Sequence, residues 1–105
     1  MEYIESPLFN KLLNSYFTDD EYANFQWHLS LHPKSGDVII GSGGLRKIRW
    51  MSKGRGKRSG VRIIYYYKSK EEQIWLLTIY TKNEAENIPA CSIVLNIQHL
   101  FTDHI

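Results

Sequence analysis

Residues 43 to 82 read GGLRKIRWMSKGRGKRSGVRIIYYYKSKEEQIWLLTIYTK, and this stretch decides the fold because three strand-like runs follow one another within it. In the first run, residues 45 to 50, Leu45, Lys47 and Arg49 point one way and Arg46, Ile48 and Trp50 the other, so two cations share one strand face. Residues 61 to 67, VRIIYYY, are β-branched and aromatic and form a second strong strand. Residues 74 to 80, IWLLTIY, are apolar at both parities, the pattern of a central strand covered on each side. The joints are a basic loop, SKGRGKRSG at 52 to 60, and a turn at 68 to 72.

Charge is concentrated in the same place. Residues 43 to 70 hold ten Lys or Arg and no Asp or Glu, whereas 1 to 42 hold two bases and six acids and 71 to 105 hold one base and five acids. The net charge of +2 therefore conceals a strongly polarised chain. Such polarity points to a polyanionic partner.

Outside this stretch the pattern is helical. Tyr3 and Ile4 suit a short edge strand, after which Ser6 and Pro7 read as N-cap and first helical residue. Leu8, Phe9, Leu12, Leu13, Tyr16 and Phe17 recur at helical spacing and predict one buried face, with Asn10, Lys11 and Asn14 toward water. Thr18 to Glu21 has capping-box spacing with acids in the first turn, which opens a second helix running to about Leu31 with Tyr22, Phe25 and Leu29 inward. Pro33 stops it, giving a helical hairpin laid on a sheet. A short run at 38 to 40 inside the glycine-rich connection 34 to 44 suits brief strand pairing. Pro89 opens a last helix whose Ile93, Val94, Ile97, Leu100 and Phe101 form an apolar stripe. The expected architecture is α+β: an N-terminal helical hairpin packed on a three- to four-stranded antiparallel sheet, with a C-terminal helix, all in one domain over 1 to 105.

Several function classes are disfavoured. A single Cys91 cannot form an internal disulfide and has no companion at metal-ligand spacing, in keeping with a reducing cytoplasm. His28 and His32 are four apart on a helix but lack a third ligand, so they read as ordinary surface or boundary histidines, and no metal or other cofactor is expected. The glycine-rich connection lacks the Walker and dinucleotide patterns. The acidic N-terminal stretch is unlike a secretory signal, and no apolar run approaches the ~20 residues that span a bilayer, so the expected setting is the cytoplasm with no membrane contact. No nucleophile elbow and no promising carboxylate pair is present.

The residues do allow one kind of site. A basic loop between strands, flanked by Trp50 and by Tyr65 to Tyr67, can grip a phosphate backbone and stack bases. RNA carries its own nucleophile, the 2′-hydroxyl, so an enzyme need only align it, stabilise the developing charge and manage two protons.

Three segments in order, GDVIIGSGGLRKIRW (36 to 50), GKRSGVRIIYYY (56 to 67) and LLTIYTKNEAENI (76 to 88), resemble the RelE/ParE superfamily of bacterial toxins, and most of all its HigB-like branch. The resemblance implies a small type II toxin that cleaves messenger RNA on the translating ribosome, restrained by a cognate antitoxin of the HigA-like helix-turn-helix kind and meeting operator DNA only through that complex. On the family pattern the catalytic cations fall at Lys47, Arg49, Arg62 and Lys82, and RNA-binding groups at Arg46, Lys53, Arg55, Lys57, Arg58 and Asn83, the last standing where RelE-like members have arginine. The tyrosine that RelE uses near the final helix has no match, since Ile88 and Pro89 occupy that region, and the general base is left unassigned. For Arg62 the alternative is a salt bridge to Glu71 or Glu72 across the hairpin, worth only ~0 to 1 kcal/mol if exposed. Two further readings compete: a ParE-like inhibitor of DNA gyrase, which the dense cationic strand pair disfavours, and an inactive member acting through its antitoxin complex.

Overall fold

The computed structural model describes residues 1–51 and 60–81. In chain order they form β1 (Glu2–Glu5), α1 (Pro7–Tyr16), α2 (Asp19–Leu31), β2 (Asp37–Val38), β3 (Arg46–Trp50), β4 (Val61–Lys68) and β5 (Gln73–Thr81). The five strands make one sheet in the order β1-β5-β4-β3-β2. The α+β class expected from sequence holds, and the three long strands pair antiparallel as β3-β4-β5. Two edges extend that core to five: β2 pairs antiparallel with β3, and β1 runs parallel to β5, which makes the sheet mixed. The expected C-terminal helix lies outside the described residues.

Both helix starts follow their sequence signals. Ser6 Oγ accepts from Phe9 N at 3.0 Å with Pro7 in the first turn, and Thr18 and Glu21 complete the reciprocal capping box. Phe9, Tyr16 and Phe17 from the first helix region and Phe25 and Leu29 from α2 bury against Ile48, Val61, Ile63, Tyr65, Ile74, Leu76 and Ile79, which all project from one sheet face. Each such large apolar side chain contributes about 1.5 to 3 kcal/mol by leaving water. Leu8 departs from the expected stripe and is exposed, although its neighbour Phe9 is fully buried, while Leu12 and Leu13 are half-buried.

Hydrogen bonds fasten the helices to the sheet. Ser6 N donates to Leu76 O at 2.9 Å and Ser6 Oγ to Leu77 O at 2.7 Å, so the cap of α1 is also its anchor on β5. Tyr3 bonds to Gln26 O and Ser30 on α2, and Tyr22 donates to Glu5 on β1. The buried Tyr65 hydroxyl donates to Pro33 O and accepts from Gly36 N, both at 2.9 Å, which pins the exit of α2 over β4. The expected strand at 38 to 40 forms one residue early, at Asp37–Val38. Ile40 is fully exposed at the tip of a turn closed by Ser42, whose Oγ bonds Ile39 O and Leu45 N.

Candidate functional site

The face of the sheet away from α1 and α2 carries the candidate site. Direct register places Arg49 of β3 opposite Arg62 of β4, and Arg62 opposite Tyr80 of β5, so the three form a row across the sheet. One step along, Lys47 is opposite Ile64 and Ile64 opposite Thr78. Partners directly opposite share a face with Cβ atoms about 5 Å apart. The face beside them is apolar: Leu45, Ile64 and Leu77 are buried with Ile39, Tyr66, Trp75 and Tyr80 packed around them. Lys47 and Arg49 are exposed and Arg62 is half-buried, so the row grades from solvent into the edge of this cluster.

A β-bulge sets the third member of the row. Ile64 is opposite Thr78 but Tyr65 is opposite Leu76, which leaves Leu77 as the extra residue on β5. Up to Leu76 the even positions Ile74 and Leu76 face the helices; beyond the bulge the odd position Ile79 does, and Tyr80 turns to the cationic face. Uninterrupted alternation from Ile74 would have buried Tyr80 under the helices. Burial pushes the Tyr80 phenol above its ordinary value, and the nearby Arg62 guanidinium pulls in the opposite direction.

Of the sequence-derived site residues, Lys47, Arg49 and Arg62 come together on this face. Arg46 does not join them. It is opposite Tyr65, on the helix side, and its Nη1 donates to Gly36 O at 2.7 Å and Lys34 O at 3.2 Å, bonds that tie β3 to the connection before β2. Lys53, Arg55, Lys57, Arg58, Lys82 and Asn83 lie outside the described residues. The alternative salt bridge from Arg62 to Glu71 or Glu72 is not formed. Those acids sit at the turn beyond Lys68 and Gln73, six strand residues or ~20 Å along β4 from Arg62.

The expected base-stacking aromatics are mostly spent on packing. Tyr65 is in the core, and Trp50 stacks edge-on to Phe25 at 5.3 Å and lies against His28 at 5.3 Å. The rings of His28 and His32 are 5.4 Å apart, and among the described residues no three His, Cys, Asp or Glu groups converge as metal ligands. Tyr66 and Trp75 are paired across β4 and β5 on the cationic face, with Lys68 Nζ 4.9 Å above the Trp75 ring. Tyr80 escaped the sequence reading, which took 74 to 80 as a strand apolar on both faces.

No protein-family model matches the chain. Among solved structures, it is similar to the E. coli toxin RelE in the free state, a double arginine-to-alanine mutant, with a TM-score of 0.53 over 81% of this chain and 86% of that one, at 11% identity. The fold is RelE-like. At this identity the likeness is one of architecture. Among the described residues no helix is long and apolar enough to cross a membrane.

Proposed function

We propose that this chain is the toxin of a type II toxin-antitoxin system and cleaves messenger RNA on the ribosome. One observation carries the reading: Lys47, Arg49 and Arg62, drawn from two strands, converge on a single sheet face of a RelE-like fold, with the two arginines directly opposite each other. Such a face favours a phosphate. Two guanidinium groups can bind its non-bridging oxygens while a 2′-hydroxyl attacks in line, and they bind more tightly as charge builds in the transition state. Lys47 adds a mobile charge one step along, and Lys82 follows directly after β5. The ribosome supplies the message, and the basic run of 52 to 60 offers further contacts to backbone phosphate.

The partner that restrains such a face is an antitoxin with a segment that folds on binding, either covering the basic surface with acidic side chains or blocking entry to the ribosome. A HigA-like helix-turn-helix protein in the cytoplasm, bound to operator DNA together with this chain, is the specific form proposed. Native mass spectrometry of the co-expressed pair tests it, and a chain found only free beside its neighbour-encoded protein counts against it.

Inducing the chain alone is expected to stop growth and shorten ribosome-bound messages while plasmid supercoiling stays intact. Linearised plasmid with intact messages would favour the gyrase-inhibitor reading instead.

A further inference from the structure

The reaction needs a proton donor for its leaving oxygen, and the row of side chains that contains Arg49 and Arg62 ends, among the described residues, on a phenol. We propose that Tyr80 is that acid, donating its hydroxyl proton to the 5′-oxygen that leaves the scissile phosphorus; this rests on the nuclease reading above.

Three features place it there. Tyr80 is the direct partner of Arg62, so a phosphate gripped by Arg62 has the Tyr80 ring as its neighbour on the β5 side. The bulge at Leu77 is what turns Tyr80 to this face, and bulges commonly re-aim a side chain beside an active site. The ring is half-buried against Leu45, Ile64 and Leu77, which fixes its position, while Arg62 stands beside it. A buried phenol stays protonated at neutral pH and has a proton to give.

The step balances. The 2′-oxygen forms a bond to phosphorus as its proton passes to water, the bond from phosphorus to the 5′-oxygen breaks, and that oxygen takes the electron pair and the Tyr80 proton. The products are a 2′,3′-cyclic phosphate and a 5′-hydroxyl. The phenolate left behind is held by the Arg62 guanidinium until water returns the proton.

The test uses the full chain on programmed ribosomes with two messages, one ordinary and one carrying sulfur in place of the 5′-oxygen at the cleavage site. A 5′-thiolate, the conjugate base of a thiol with pKa about 8.5, leaves without help from an acid. Tyr80→Phe keeps the ring and its packing, and an unchanged melting temperature certifies its fold. Tyr80→Phe is expected to cut the ordinary message about a hundredfold or more slower than wild type, within the range for a general acid, and to regain most of that loss on the sulfur message. Equal slowing on both messages overturns the acid role and leaves a positioning one. A wild-type rate on the ordinary message removes Tyr80 from the reaction altogether. A wild-type chain that cuts neither message overturns the nuclease reading, and the Tyr80 assignment falls with it.

Discussion

Arg49 and Arg62 are direct partners across the β3–β4 ladder, two guanidinium side chains projecting from the same face of the sheet. Taken as a pair, like charges directly opposite repel by roughly 0.2 to 1 kcal/mol, and an anion between them would turn that repulsion into attraction. On the proposed reading that anion is the scissile phosphate.

Arg62→Lys is therefore not a conservative change. A guanidinium holds two phosphate oxygens in a fixed plane, whereas an ammonium offers one mobile point charge. If the proposed nuclease reading holds, loss of a transition-state contact of ~2.7 to 4 kcal/mol is expected to slow cleavage about a hundred- to a thousandfold, with ribosome affinity hardly changed because one cation among ten is a small part of the attraction. Single-turnover cleavage on saturating ribosomes, with binding measured separately, checks this. Wild-type cutting by the saturated variant would give Arg62 a structural role only.

Gly60 lies just before β4, at the end of the ladder that pairs the two arginines. Its φ is 72°, and a Cβ there would stand 2.4 Å from the carbonyl oxygen of Trp50, the residue that pairs with Val61 at the end of the ladder. Gly60→Ala is expected to cost about 1 to 3 kcal/mol of stability, since the positive φ is strained for alanine and the contact is too close for its Cβ. Urea unfolding measures the loss, and a variant as stable as wild type would show that the strand ends tolerate separation.

The two helix caps should differ in weight. Thr18→Ala removes an exposed capping box and costs about 1 kcal/mol. Ser6→Ala removes a cap and also the buried bond to the Leu77 carbonyl at the β5 bulge, for a loss of about 2 to 3 kcal/mol. Paired unfolding curves rank them, and a larger loss at Thr18 would contradict the anchoring role of Ser6.

Alkaline pH should weaken the fold through its buried phenols. Burial raises the phenols of Tyr3, Tyr22, Tyr65 and Tyr80 above the ordinary 10.0, with a hydrogen bond to Glu5 adding to the rise at Tyr22. Below that value both folded and unfolded phenols are protonated and their contribution is fully present. Above it the unfolded chain releases protons that the folded chain keeps, so stability falls as pH rises through the folded values. Unfolding free energies at about pH 8 and about pH 11 should show the decline, and Tyr22→Phe, which removes one of the four phenols, should make it shallower. An equally steep decline in that variant would place the linkage elsewhere.

What the sequence determined by itself is local. The Thr18 to Glu21 capping box, the Ser6-Pro7 helix start, the three long strands and the alternation that puts Lys47 and Arg49 on one face depend on neighbours along the chain, and each is present in the structure. Tertiary structure decided what depends on neighbours across it. Only strand register sets Arg49 opposite Arg62, and only the accommodation of Leu77 as an extra residue on β5 carries Tyr80 from the helix side to the cationic side. The parallel pairing of β1 with β5 joins residues some seventy apart, as in Glu2 with Gln73, and Arg46 is drawn off to Gly36 O by a connection whose path the local pattern does not contain. A strand's period of two is written in its own residues, whereas register, bulges and edge pairing are settled by how two helices and five strands bury their apolar faces together.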